Sequence, residues 1–198
     1  MFQISFVEIV EANFQIILNN NITLMNLPLS NNLPINKLAS VFGNTSASYK
    51  FYWLIALIEL VEEGNIEIPK RNIFSRMISN CWYTINYFHI SFGKQDKLQI
   101  AVERILKVEN LTIDEKKNKL ETCIENSTNK ETINQLLHFD KNVPHWFLSP
   151  WFPRINNETN NQQKNRIYSD SKSFINNSLY ALHKDFISIN PLWISYLK

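Results

Sequence analysis

The stretch Ser46-Ala47-Ser48-Tyr49-Lys50-Phe51-Tyr52-Trp53-Leu54-Ile55-Ala56-Leu57-Ile58-Glu59-Leu60-Val61-Glu62-Glu63-Gly64 decides the fold class. It holds no proline, and its glycine stands at the end, where a left-handed residue closes a helix. Thr45 precedes it as a capping residue. From Tyr49 to Val61 the apolar residues leave no polar face until the acidic end. A helix of this kind is buried on several sides. The stretch therefore predicts a central helix from Ser46 to about Glu63 in a mostly α-helical fold. Its apolar run, Phe51 to Ile58, is much shorter than the ~20 residues that cross a bilayer, and no transmembrane segment is expected.

Toward the N-terminus, Pro34 opens a short helix in which Ile35, Leu38, Val41 and Phe42 share a face and Gly43 marks the stop. Residues 1–33 are apolar but aperiodic and form an N-terminal extension, a strand or a short helix. Toward the C-terminus, Ile66-Glu67-Ile68 alternates as a short strand, and Pro69 opens a helix with Ile73, Phe74, Met77, Ile78, Cys81, Trp82 and Ile85 on one stripe. Asp96 caps the next helix. Thr112-Ile113-Asp114-Glu115 has the form of a capping box opening a helix through Ile124, and Thr128-Asn129-Lys130-Glu131 repeats it.

Between Val143 and Pro153 three prolines argue against a helix, while the aromatic content demands burial, so an ordered, packed loop is expected. Asn156 to Arg166 has no apolar residue and reads as an exposed loop or linker. Leu179–Leu182 and Phe186–Ile189 pair as a small hairpin, after which Asn190 caps a final helix begun by Pro191. The expected fold is mostly α, a multi-helix bundle-like domain with a small β-hairpin or short strands near the C-terminus. Its parts are an extension (1–33), a helical core domain (34–153) and a linker, hairpin and last helix (154–198).

Composition excludes several classes. The 198 residues are 44% hydrophobic with a net charge of +2, too apolar and too weakly charged for a disordered chain. Three glycines, Gly43, Gly64 and Gly93, are too few for any glycine-rich phosphate loop. Cys81 and Cys123 make neither a disulfide framework nor a four-ligand zinc site, and both sit in helical patterns as small hydrophobes do. Met1-Phe2-Gln3-Ile4 lacks the basic start of a signal peptide, and Glu8 and Glu11 interrupt the apolar stretch. A reduced, cytoplasmic protein is the expectation.

No catalytic signature stands out, and no cofactor or metal is expected. His89, His138, His145 and His183 include no pair at the i, i+4 spacing of two metal ligands on one helix face, and read as structural or surface residues. Glu115-Lys116-Lys117 has the short half of a nuclease carboxylate-lysine pattern but lies in a polar capped helix rather than a strand. Glu67-Ile68-Pro69-Lys70 has one residue too many.

Charge is more informative. Residues 1–63 carry a net −3, so +5 falls beyond residue 63, in clusters at loop and helix ends. Lys50, Lys70, Arg71, Lys94, Lys97 and Arg154 are the candidates for contact with nucleic-acid phosphates. The aromatic residues Trp146, Phe147, Trp151 and Phe152 are the candidates for a protein-protein contact.

Three stretches carry a family resemblance: Asn44 to Leu54, Met77 through Tyr83 with Ser91 to Leu98, and Val143-Pro144 with Phe147 to Phe152. In order and approximate spacing they resemble the N-terminal region of bacterial HNH-type endonucleases of the restriction and phage-defence kind, over residues 34–198. The resemblance implies a helical region followed by a zinc-finger-like module whose histidine activates water beside a divalent metal. No His-Asn-His arrangement follows before Lys198, so no catalytic role is carried to any residue of this sequence. HNH activity is expected only with a nuclease module that follows or a nuclease subunit as partner. The resulting expectation is a non-catalytic, DNA-associated recognition or scaffold region; the alternative is a protein-interaction or homo-oligomerisation module using the aromatic loop and the last helix.

Overall fold

The computed structural model describes residues 28, 30, 32–43, 48–93 and 96–198. The chain is mostly α-helical with a small three-stranded sheet. A short helix α1 (Ile35–Ser40) leads to α2 (Tyr49–Glu62). The apolar residues of α2, from Phe51 to Val61, are buried on all sides except at Glu59, as its sequence requires. It ends in a Schellman turn. The N–H of Asn65 donates to the Leu60 carbonyl and that of Gly64 to the Val61 carbonyl, each at 3.0 Å, with Gly64 at φ +93°. The predicted cap Thr45 lies outside the described residues.

Strand β1 (Glu67–Pro69) runs directly into α3 (Lys70–Asn86), which packs against α2 and against α4 (Lys97–Val108), α5 (Lys117–Asn126) and α6 (Lys130–Asn142). Its stripe of Ile73, Phe74, Met77, Ile78, Cys81, Trp82 and Ile85 is wholly buried. Asp96 caps α4 as expected, accepting from the N–H groups of Leu98 and Gln99, and it also accepts from the Ser48 N–H at 2.8 Å. One carboxylate thus fixes the starts of two helices.

The two later caps differ from expectation. Helix α5 begins two residues past the Thr112–Glu115 box, because the Thr112 carbonyl accepts from the Trp82 indole (3.1 Å) and the Glu115 N–H (3.3 Å) in a turn. The cap of α6 is Asn129 rather than Thr128; its side chain accepts from the Glu131 N–H.

Residues 144–151 are helical where a loop was expected. Pro144 occupies the first position of α7 (Pro144–Leu148), and Pro150 lies in the 3-10 turn Ser149–Trp151 that follows. A proline in a first turn removes an N–H that has no intrahelical partner, so these prolines start helical turns rather than break them. The Asn-rich segment is likewise α8 (Asn160–Asp170), opened by a reciprocal capping box between Thr159 and Gln162. Polar contacts hold it down. The buried Gln163 side chain donates to the Phe152 carbonyl at 2.9 Å, and Arg166 grips Glu158 at 2.7 and 2.8 Å.

The expected hairpin forms from β2 (Tyr180–Leu182) and β3 (Phe186–Ile189), and it does not stand alone. Strand β3 lies in the middle of an antiparallel sheet in the order β1-β3-β2, with Ile68 opposite Ile187. Pro69 is tolerated because β1 is an edge. Asn190 caps α9 (Pro191–Leu197), whose Trp193 is buried and donates its indole N–H to the Asn177 carbonyl. One hydrophobic cluster runs from Ile35 to Leu197. Among the described residues no helix is long and apolar enough to cross a membrane.

Candidate nucleic-acid interface

The five predicted phosphate contacts among the described residues do not converge on one another. The Lys50 ammonium donates to the Val41 carbonyl at 2.9 Å, and burial holds its pKa below the ordinary lysine value. Lys70 is 3% exposed. Its ammonium donates to Asp140 Oδ1 (2.8 Å), Tyr168 Oη (3.0 Å) and the Lys184 carbonyl (2.7 Å), so all three of its protons are taken. Arg71 turns onto the last carbonyls of α5, donating to Ile124 from Nε and Nη2 and to Ser127 from Nη2. These three cations serve the fold. Arg154 is exposed but holds the Asn160 side chain at the start of α8. Lys94 lies outside the described residues.

Lys97 is the exception. It is exposed at the first position of α4, and α4 packs against α6 with the opposite chain direction. Arg104, two turns into α4, reaches Glu131 in the first turn of α6 at 2.8 Å. At the other end, Lys97 comes near the last turns of α6, where His138 and Lys141 are exposed. Both lysines disfavour the imidazolium there: the His138 pKa is lowered by burial first, then by Lys97 and Lys141. Among the described residues, this end of the helix pair therefore carries two lysines and a histidine with no carboxylate bonded to any of them. Phosphate oxygens are the anions such a face suits.

His138, read from the sequence as a structural or surface residue, is exposed at this end of α6, and its part in a basic face lies beyond that reading. Its spacing to Lys141, i and i+3 in the last turns of a helix, was the available signal, since residues so spaced share a face.

The aromatic candidates also move. Phe147, Trp151 and Phe152 are buried in the core, and Trp146 is half-buried with its ring 5.0 Å from that of His145. They offer no exposed aromatic loop, because α7 and its 3-10 turn direct them inward. Among the described residues the exposed rings lie at and past the end of α3 instead, at Tyr83, Tyr87 and Phe88, where Phe88 is 65% exposed. The carboxylate-lysine pattern does not assemble either. Glu115 pairs with Lys119 at 2.8 Å, while Lys117 reaches across to Glu59 at 3.1 Å. Among the described residues no three His, Cys, Asp or Glu side chains come together to hold a metal.

No protein-family model matches the chain, no curated protein matches it, and no solved structure matches its fold.

Proposed function

We propose that this chain is a DNA-associated recognition or scaffold region of an HNH-endonuclease-type restriction or phage-defence protein, with hydrolysis supplied by a nuclease module or subunit outside the described residues. The observation that supports it is the basic end of the α4–α6 pair, Lys97 with His138 and Lys141. The resemblance in residues 44–54, 77–98 and 143–152 supplies the nuclease class. Phosphate contact through this face makes binding electrostatic, sequence-tolerant and salt-dependent.

Fluorescence anisotropy with a labelled duplex across a salt series tests the reading. The slope of log affinity against log salt is expected to fall by about 0.9 for each phosphate-contacting lysine removed, so by about two units in Lys97→Gln/Lys141→Gln. Absence of binding at ~50 mM salt, or a double variant with an unchanged slope, overturns it.

A further inference from the structure

A concavity opens between the first turns of α3, the α6 face and the β2–β3 turn, with a volume of about 360 Å³. That is within the range of small-ligand sites. Phe74, Ile133, Leu136 and Leu137 form its apolar surface, and Leu137 stands 58% exposed there. Its polar groups are Lys70, Arg71 and Lys184 against Asp140 and Asp185.

The walls are tied together without a ligand. The Lys70 ammonium bonds Asp140 of α6 on one side and the Lys184 carbonyl of the hairpin turn on the other, and the Lys70 N–H donates to the Asp185 carbonyl at 3.0 Å. The cleft is thus preformed, which lowers the ordering penalty of binding.

Its charges select the occupant. Lys70 and Asp140 neutralise each other at 2.8 Å, and Arg71 is committed to the α5 carbonyls. Lys184 is exposed at the tip of the turn, and no carboxylate bonds its ammonium among the described residues. The lining as a whole carries one more positive than negative charge. A cation meets that excess unfavourably. A dianion such as a phosphate monoester overshoots that single surplus charge and leaves a second negative charge facing Asp185, and like charges at close range are repulsive. An apolar body ending in a single negative charge satisfies both the surface and the rim.

We propose that this cleft binds a small amphipathic carboxylate, with its hydrocarbon part against Phe74 and Leu136 and its carboxylate accepting from the Lys184 ammonium. The site is independent of the basic α4–α6 end and uses none of its residues.

Octanoate is the probe, added to the full chain at neutral pH and followed by two-dimensional amide NMR. Saturable shifts are expected around Phe74, Leu136, Leu137 and Lys184. Octanol, octylamine and octyl phosphate are each expected to bind on the order of tenfold more weakly, the factor that loss of one charge-assisted hydrogen bond gives. Lys184→Gln keeps the backbone carbonyl that Lys70 uses and is expected to weaken octanoate by a similar order, while Leu137→Asp, at an exposed position, abolishes saturation. No saturable shift at these residues up to about 10 mM octanoate overturns the proposal, as does equal binding of octanol and octanoate. A Lys184→Gln variant with unchanged affinity also overturns it.

Discussion

Helices α3 and α4 each begin on a lysine, and the two lysines have opposite surroundings. Lys70 at the start of α3 is enclosed by Asp140, Tyr168 and the Lys184 carbonyl, whereas Lys97 at the start of α4 stands in solvent. Nothing within either helix makes the difference. The acceptors that capture Lys70 come from α6, α8 and the hairpin turn, 70, 98 and 114 residues further along the chain. A cation at a helix start is available to a partner only where the long-range fold leaves it without acceptors.

The sharpest way to break this comparison is to remove each charge in turn. Lys70→Met leaves Asp140 beside a buried apolar side chain. Breaking a buried pair costs about 3–5 kcal/mol, and because Asp140 keeps 36% of its side-chain surface the low end, about 3 kcal/mol, is expected. Lys97→Met is expected to change stability by less than about 0.5 kcal/mol, as surface substitutions do. Urea denaturation measures both. Equal effects would mean that the two lysines are equivalent and that the enclosure of Lys70 contributes nothing.

The histidines extend the contrast. His145 is 3% exposed, its Nδ1 has no hydrogen-bond partner, and burial, reinforced by Lys164 and Lys70, lowers its pKa to about 4. In the unfolded chain the same group titrates near 6.5. Between these values the unfolded state binds the proton and the folded state does not, so stability is full above the unfolded pKa and falls on acidification. The loss amounts to about 3 kcal/mol by pH 4, at roughly 1.4 kcal/mol per unit. His145→Phe is expected to remove that part of the acid sensitivity. The carboxyl of Glu158, held to about 2 chiefly by its hydrogen bond from Arg166, loses its contribution as pH falls from about 4.5 toward 2, so it enters at the bottom of this window and does so equally with and without His145. Urea melts of both proteins at pH 7, 5 and 4 decide the point; parallel losses in the two would show that His145 does not carry the effect.

What could be read beforehand follows the range of the interaction. Gly64, Asp96 and Asn190 act on backbone groups within a few residues, and the helix boundaries they imply are the ones observed. The hairpin of β2 and β3 is local in the same way. The alternation of Ile66-Glu67-Ile68 marks β1 as a short strand, but its pairing with the distant β3 is not written in those residues. Pro144 and Pro150 were misread because a proline stops a helix from within and starts one at its first turn, and position alone separates the two. Helix α8 escaped because its attachments are Gln163 and Arg166, polar side chains whose acceptors lie in the folded neighbourhood. Of the predicted phosphate contacts among the described residues, Lys97 alone is exposed beside other cations, and its companion His138 stands in the sequence as an isolated histidine.

The smallest expected effect examines whether Lys97, His138 and Lys141 form one face. Replacing both lysines by glutamine is expected to alter stability by less than about 0.5 kcal/mol, since no ion pair is broken. It removes two positive charges that disfavour the imidazolium, so the His138 pKa rises. The rise is incomplete, because burial is the larger cause and the double variant keeps it. A bound duplex acts in the same direction: phosphate beside His138 favours its charged form, and by linkage DNA affinity then increases as pH falls through the His138 titration. Proton NMR of the His138 ring in the free wild type, the double variant and the DNA complex follows all three states. A ring whose titration ignores both the lysines and the duplex would separate these residues electrostatically and remove the observation on which phosphate binding at this end of α4 and α6 rests.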